Sequence, residues 1–321
     1  MTNTMTVAKT ADPGQKKSRM AMVRVLLPIA GLLIVFILFN TLTQGRMIGN
    51  MPLVLSQVYV TLIASMGVFF IMTMGGLDFS QGSILGMAAI VVCVLSKTSI
   101  PLAIAGGILT GALIGAINGY FYVNRKIKSF IVTICTMFLF RGFIKYLTTN
   151  APVAGSAALI NYDSTALKLT CTLVILVIGF IAFRYTRFGI DLKAIGAGEK
   201  AAKFAGIRTD RMKFLIYVLS GAITGFAAFI SVIKVGSVTS SGGNQLETQI
   251  LIALVLGGMP ISGGAKVKFQ NIIIGSLLYT VLNSGLTMMG FSTQMLQLIE
   301  GCVFLVFVAV FADRESIQVI K

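Results

Sequence analysis

Long apolar segments follow one another along almost the whole chain, and they decide what it can fold into. A helix that crosses a lipid bilayer needs about 20 mostly apolar residues. Charged residues make up only 11% of the chain, against about 25% in ordinary globular domains. Water-compatible groups are therefore too few to cover the surface. The sequence predicts an integral membrane protein and argues against a soluble enzyme, a disordered chain or a disulfide scaffold.

The predicted architecture is all-α, with about ten transmembrane helices, because no strand-like alternation persists. The candidate spans are 25–42, 51–74, 82–96, 100–123, 129–147, 169–186, 213–234, 246–261, 270–290 and 294–312. We interpret 25–42 as an uncleaved first span. The domain organisation that follows is a tail over 1–24, a transmembrane domain over 25–312 and a second tail over 313–321.

The basic residues predict how the chain lies in the membrane. There are 26 Lys and Arg against 10 Asp and Glu, a net charge of +16. In a soluble chain this excess would indicate nucleic-acid binding. Here most of these residues fall at the N-terminus, after the fourth span, in the 184–213 loop and at the C-terminus. The positive-inside rule then places both termini in the cytoplasm and predicts no nucleic-acid partner.

Several kinds of chemistry are excluded by residue content. The chain has no His, which removes His-dependent metal sites and Ser-His-Asp catalysis. The four Cys are scattered in apolar runs without a CxxC pair, so we expect buried, inert thiols rather than a metal site. Residues 196–200 contain glycines and a Lys but lack the phosphate-loop pattern. We expect no catalytic residue, no metal and no ATP hydrolysis on this chain.

Two short spans, 82–96 and 246–261, are the third and eighth of ten. Short, glycine-interrupted segments at matching positions indicate a transport pathway, which is compatible with two inverted five-helix halves. Gly-rich stretches at 75–82 and 257–264 share the pattern G-G-x-x-x-S-x-G. One precedes its short span and the other follows it, so the match is out of register with such a repeat.

A small set of polar residues within or beside the spans forms the candidate translocation path. Asp78 lies in a Gly-rich break, where a carboxylate is unfavourable unless it is paired or hydrated. It is either a pathway residue or, with Ser80, a cap for the following helix. Ser56, Gln57 and Asn283 are candidate pore-lining residues. Neutral polar residues in spans also commonly hydrogen-bond between helices.

Two further patterns concern packing and docking. In the fourth span four glycines recur at a spacing of four, which allows either close helix packing or a subunit interface: Gly107, Gly111, Gly115 and Gly119. The loop over about 187–212 interleaves small apolar and charged residues, which predicts a short amphipathic helix ending near Gly206. We interpret that loop as a docking surface.

Four motifs resemble the permease subunits of bacterial ABC importers for monosaccharides of the ribose, xylose, arabinose and galactose type. Residues 74–87 (MGGLDFSQGSILGM) resemble that family's G-G-[IL]-D-[LF]-S-x-G-S signature. Residues 186–207 resemble its cytoplasmic loop, 256–264 its L-G-G-x-x-[IL]-x-G-G motif, and 279–290 the following membrane segment. The motifs occur in the family's order, and the similarity extends from about residue 45.

The resemblance implies a set of partners in the bacterial cytoplasmic (inner) membrane. A second permease copy, identical or related, would complete the pore, and ABC ATPase subunits carrying ATP-Mg would dock beneath it. An extracytoplasmic binding protein would deliver the sugar, and this chain would bind no cofactor. The loop loosely resembles an ATPase-coupling motif through Glu199, Ala201, Ala202 and Gly206. Alternatives are an ABC permease for nucleosides or branched-chain amino acids, or an ion-coupled secondary transporter using Asp78 or Glu300.

Overall fold

A computed structural model describes residues 29–311, with side chains to 309. The predicted tails over 1–24 and 313–321, and the basic residues in them, lie outside the described part. The helices are α1 (Ile29–Leu42), α2 (Arg46–Gly49), α3 (Met51–Thr73), α4 (Gln81–Ser96), α5 (Ile100–Asn124), α6 (Ser129–Leu147), α7 (Thr165–Tyr185), α8 (Arg187–Ala197), α9 (Glu199–Phe204), α10 (Thr209–Val235), α11 (Leu246–Leu256), α12 (Gln270–Met288) and α13 (Thr293–Phe311).

The apolar helices follow the predicted spans, which confirms an all-α membrane protein. Within residues 29–311, six helices are long and apolar enough to cross a bilayer: α3, α5, α6, α7, α10 and α12. Four shorter apolar helices, α1, α4, α11 and α13, lie in the other predicted spans. The predicted number of about ten crossings is therefore not confirmed by helix length.

Helix α3 occupies the centre of the fold. Its sequence is mostly apolar and includes the small residues Ala64 and Gly67, so most of the helix can be buried by its neighbours. From Val58 to Thr73 almost every side chain is buried. The helices α7, α10, α11 and α12 pack around it. The side chains of these four helices that face α3 therefore pack against a helix that is itself buried at the centre of the bundle.

The four glycines of α5 lie where this helix crosses α10. A Cβ at Gly111 would overlap the carbonyl oxygen of Gly221, and one at Gly107 would meet that of Gly225. Gly115 and Gly119 approach the α10 backbone in the same way. Small residues permit such close backbone approach. Because α10 of the same chain covers this face of α5, a second subunit cannot use it.

Helix neighbours recur between the two halves of the chain. In the first half α4 packs on α5 and α6, and in the second α11 packs on α12 and α13. Across the halves, α10 packs on α4 and α5, as α3 packs on α11 and α12. The first long helix of each half thus packs against the helices of the other half. This pattern supports two related halves in which α3 corresponds to α10. The Gly-rich motifs instead end α3 and α11, which do not correspond.

The two ends of the bundle differ. At one end, β1 (Val153–Ala154) pairs antiparallel with β2 (Ser237–Val238), and a 3-10 turn over Ala157–Tyr162 follows β1. At the other end lie α8 and α9. Because α10 begins after α9 and ends at β2, these two regions are a full helix length apart. We call them the strand end and the α8–α9 end.

Candidate functional site

A polar cavity of about 260 Å³ opens near the strand end between α3, α10, α11 and α12. It lies beside the first turn of α11, the last turns of α10, the first half of α3 and the second half of α12. The polar side chains in its wall come from all four helices: Ser56, Gln57, Thr61, Ser231, Lys234, Gln249, Tyr279, Thr280 and Asn283. Three predicted path residues, Ser56, Gln57 and Asn283, thus share one cavity.

Hydrogen bonds at the wall fix which atoms face the cavity. Ser56 Oγ donates to the Leu53 carbonyl at 2.6 Å, which leaves its oxygen to accept. The Gln57 carbonyl oxygen accepts from Ser284 Oγ at 3.4 Å, so its amide N–H groups remain to donate. Thr280 Oγ1 donates to the Ser276 carbonyl at 2.8 Å. The wall therefore presents donors and acceptors side by side.

A buried carboxylate stands behind the cavity wall. Glu300 Oε1 on α13 accepts from the Tyr279 hydroxyl at 2.9 Å and from Asn283 Nδ2 at 2.8 Å. Tyr279 and Asn283 both line the cavity. Since Nδ2 of Asn283 is committed to Glu300, its carbonyl oxygen is directed elsewhere as an acceptor. Glu300 therefore orients two cavity-lining side chains of α12, although it lies on α13, which does not line the cavity.

Asp78 and Ser80 lie apart from this cavity, in a buried hydrogen-bond network. Asp78 is 1% exposed, and its Oδ1 accepts from the backbone N–H and the hydroxyl of Ser80 at 2.8 and 2.6 Å. Its Oδ2 accepts from Gln81 Nε2 at 2.6 Å. Asn118 of α5 donates to Ser80 Oγ at 2.8 Å, and Thr224 of α10 donates to Gln81. The network joins the α3–α4 break to α5 and α10.

Basic side chains lie at and near the mouth of the cavity. Lys234 is exposed and lies at the end of α10, in the cavity wall. Lys168 of α7 forms an ion pair with Asp163, and both residues lie near Lys234. The mouth therefore does not favour a cation. Among residues 29–311 no three Asp, Glu, Cys or His side chains come together as metal ligands would.

The predicted docking loop folds as two helices, α8 and α9, separated by Gly198. Ala202 is buried against the core, whereas Ala201 and Glu199 are exposed. Glu199 forms an ion pair with Lys213 at the start of α10. Phe204 is 92% exposed, an unfavourable state for a large apolar side chain in water. Gly206, at φ +87, ends this unit in a left-handed conformation.

An aromatic cluster connects α8 to the centre of the bundle. The ring of Phe188 on α8 lies 5.2 Å from that of Phe70 on α3. Lys193 of α8 places its ammonium 4.3 Å from the ring centre of Phe183, which in turn lies 4.8 Å from Phe69. Burial lowers the pKa of Lys193, and nearby Arg184 lowers it further. Movement of α8 would therefore act directly on residues of α3.

Sequence reasoning missed the ion pair between Arg141 of α6 and Glu247 of α11. Glu247 opens the short eighth span, and its buried position was not apparent from the pattern.

The prediction of buried cysteines is wrong for Cys135 and Cys302, which lie on outward faces of α6 and α13. Apolar runs cannot tell a face covered by protein from one left to lipid, because both favour apolar residues.

A family model described as the permease component of branched-chain amino acid transport systems matches residues 50–308. The chain belongs to this permease family. The match covers the central α3, all four cavity-lining helices, and α8 and α9. No solved structure matches the chain significantly.

Curated relatives of the permease are similar along most of their length. The ribose import permease protein RbsC of Bacillus subtilis (strain 168) is 31% identical over 300 residues, covering 90% of this chain and 92% of the relative. The L-arabinose ABC transporter permease protein AraH of Azospirillum brasilense is 31% identical, with 78% and 76% covered. The D-allose transport system permease protein AlsC of Escherichia coli (strain K12) is 27% identical, with 88% and 89% covered.

Proposed function

We propose that this chain forms the translocation path of an ABC importer for a monosaccharide. The observation that carries the proposal is the cavity shared by Ser56, Gln57 and Asn283 at the end opposite α8 and α9. The family match and the names of the sugar permeases among its relatives support the substrate class.

The chemistry of the cavity suits a small, neutral, hydroxyl-rich molecule. A sugar hydroxyl donates one hydrogen bond and accepts others, so it needs donors and acceptors close together. The amide of Gln57, the carbonyl oxygen of Asn283 and the hydroxyl of Ser56 offer both. The volume of about 260 Å³ is slightly below the range of about 300–1,000 Å³ that is usual for sites of drug-sized ligands. Branched-chain amino acids would need an apolar wall and two ionic partners instead.

In this proposal the α8–α9 end faces the cytoplasm and receives the ATPase. Phe204, Ala201, Glu199 and Gly206 form the exposed contact, and buried Ala202 anchors α9 to the bundle. ATP-Mg is bound by the partner subunit and not by this chain. Closure of the ATPase subunits moves α8, and Phe188 and Lys193 transmit that movement to the aromatic cluster around α3. The energy comes from differential binding to two conformations.

The same orientation in the membrane places the remaining partners. The strand end faces away from the cytoplasm, where an extracytoplasmic binding protein delivers the sugar to the cavity mouth. A second permease copy, the same or related, packs in the inner membrane, and both termini are cytoplasmic. Asp78 and Ser80 serve the path as positioning residues, because their network holds α4, α5 and α10 around the α3–α4 break.

The test is uptake of radiolabelled D-ribose, L-arabinose and D-allose by cells that lack or regain this chain. We expect deletion to abolish uptake of at least one monosaccharide, and ATP depletion to abolish it in restored cells while a protonophore does not. Loss of leucine or adenosine uptake alone would identify one of the other ABC substrates. Uptake that survives ATP depletion and collapses with the protonophore would identify a secondary transporter.

A further inference from the structure

The two Gly-rich stretches meet at the α8–α9 end, although they lie far apart in the chain. The stretch over 75–82 follows α3, and the stretch over 257–264 follows α11. The backbone N–H of Gly264 donates to the carbonyl oxygen of Thr73, the last residue of α3, at 2.9 Å. A Cβ at Gly263 would lie 2.6 Å from that same oxygen. The two stretches are therefore joined backbone to backbone.

The end of α8 completes this contact. A Cβ at Gly196 would overlap the Thr73 carbonyl oxygen and lie 2.6 Å from the backbone nitrogen of Gly264. Real Cβ atoms essentially never approach other atoms this closely, so only a glycine at this position lets the backbone of α8 come so near. Gly196, Thr73 and Gly264 thus form a three-way backbone contact, which we call the glycine junction.

The junction explains why both stretches are rich in glycine. Gly75 and Gly264, one from each stretch, have φ values of +82 and +89. Other residues adopt this left-handed region only with strain. The pattern that the two stretches share therefore follows from their meeting at one place and needs no internal repeat, which accounts for its being out of register.

Each stretch leads from the junction into a different half of the chain. Beyond Gly75 the chain enters the Asp78 network, which holds α4, α5 and α10 together. On the other side, α11 and α12 are tightly packed, because a Cβ at Gly257 would overlap the carbonyl oxygen of Asn271. Main-chain atoms alone make the junction, so no side chain can rotate there to absorb a displacement. Close packing of this kind transmits movement.

We propose that the glycine junction couples the docking surface to both halves of the chain: when α8 moves, the α3–α4 break and the α11–α12 connection over 257–269 move with it as one unit. This rests on the proposed function, which supplies the ATPase that moves α8. The contact of Phe188 with Phe70 acts on α3 alone, whereas the junction reaches both halves. One displacement of α8 therefore changes the two halves at the same time.

Two glycines that lie two residues apart give a matched pair of variants. Gly196→Ala would force the end of α8 away from the Thr73 carbonyl oxygen. A Cβ at Gly198 instead meets its nearest atom, in the Ala201 side chain, at 3.9 Å, so Gly198→Ala is the control. Cells with each variant would be tested for ATP-dependent uptake of radiolabelled D-ribose, L-arabinose and D-allose. The amount of permease in the membrane and its co-purification with the ATPase subunit would be measured in the same cells.

We expect Gly196→Ala to lower uptake about tenfold relative to Gly198→Ala, which is within the range typical of coupling between distant sites. The ATPase subunit should still co-purify, since the exposed face of α9 is unchanged. Equal ATP-dependent uptake in the two variants would overturn the junction and leave the proposed function standing. Absence of ATP-dependent uptake in wild-type cells as well would overturn the proposed function, and the coupling role of the junction with it.

A reversible cross-link tests the junction even if Gly196→Ala fails to fold. Ala197 and Ala265 are exposed and flank the contact on its two sides. The variant Ala197→Cys/Ala265→Cys would be made in the full-length chain with its four native cysteines replaced by Ala. A short bis-thiosulfonate reagent joins the two thiols through disulfide bonds that dithiothreitol breaks. Ala197→Cys alone, treated in the same way, controls for modification without a cross-link.

We expect the cross-linked chain to keep most of its uptake, because α8 and the α11–α12 connection already move together. Loss of uptake that dithiothreitol restores would show that α8 slides past the connection, and would overturn the junction. Mass spectrometry of the peptides measures the cross-linked fraction. Failure of the cross-link to form would contradict the contact itself.

Discussion

Arg141 places its Nη2 atom 3.0 and 3.2 Å from the two carboxylate oxygens of Glu247. Its Nη1 atom donates to Asn244 at 2.8 Å. Both side chains are largely buried, and a Cβ at Gly82 on α4 would overlap the Glu247 carboxylate. The pair therefore fastens α6 of the first half to α11 of the second, next to the cavity-lining residue Leu246.

Replacing one partner of this pair should destabilise the fold strongly. Arg141→Ala leaves the Glu247 carboxylate buried without its cation, a change that costs about 3–5 kcal/mol. The double variant Arg141→Ala/Glu247→Ala should lose less than the sum of the single variants, because it leaves no unpaired charge. Thermal unfolding of the detergent-solubilised chain measures both. Strict additivity would show that the two residues are not coupled.

A matched pair of glycine substitutions tests the crossing of α5 and α10. Gly111→Ala drives a Cβ into the Gly221 carbonyl oxygen and should destabilise the chain by about 1–3 kcal/mol. Gly142→Ala on α6 meets no atom within 4 Å and should change stability by about 1 kcal/mol or less. Equal unfolding temperatures for the two variants would refute the close crossing.

Asp78 should matter for stability rather than for affinity. Asp78→Ala leaves the Ser80 backbone N–H and one N–H of the Gln81 amide without an acceptor, at about 1–3 kcal/mol for each unsatisfied group. The Gln81 amide keeps its hydrogen bond to Ser220 Oγ at 3.0 Å. Asp78→Asn keeps one oxygen and should be milder. The yield of folded protein should be lower for Asp78→Asn than for the wild type and lowest for Asp78→Ala. The KM of the folded fraction should stay constant. A raised KM in stable Asp78→Asn protein would place Asp78 in contact with the substrate instead.

Two variants of Glu300 distinguish a residue that positions the cavity wall from one that couples transport to an ion. Glu300→Gln keeps an oxygen that accepts from Tyr279 and Asn283, so sugar uptake should continue at a similar KM. Glu300→Ala removes that acceptor and should raise the KM up to about tenfold. Sugar uptake by cells that carry each variant distinguishes the two roles. If Glu300 coupled transport to an ion, cells with Glu300→Gln would no longer accumulate the sugar.

The sequence indicated polar positions on regular helices better than contacts that depend on the tertiary fold. Ser56, Gln57 and Asn283 stand out as polar residues in apolar runs, and the packing of α3 against α12 brings them to one cavity. Their role in a translocation path stays a prediction. Asp78 left two interpretations open, because only the fold shows how many donors surround it. The α8 helix and the Arg141–Glu247 pair could not be foreseen, since they depend on contacts between segments far apart in the chain.

The most direct measurement is purification of the tagged chain from native membranes in mild detergent, followed by mass spectrometry. We expect an ABC ATPase subunit at near equal stoichiometry with the wild-type chain and with Lys200→Ala. That subunit should be lost with Phe204→Asp, which places a charge on the exposed α9 surface without disturbing buried residues. Recovery of folded wild-type chain without any ATPase would show that this chain is not the permease of an ABC importer.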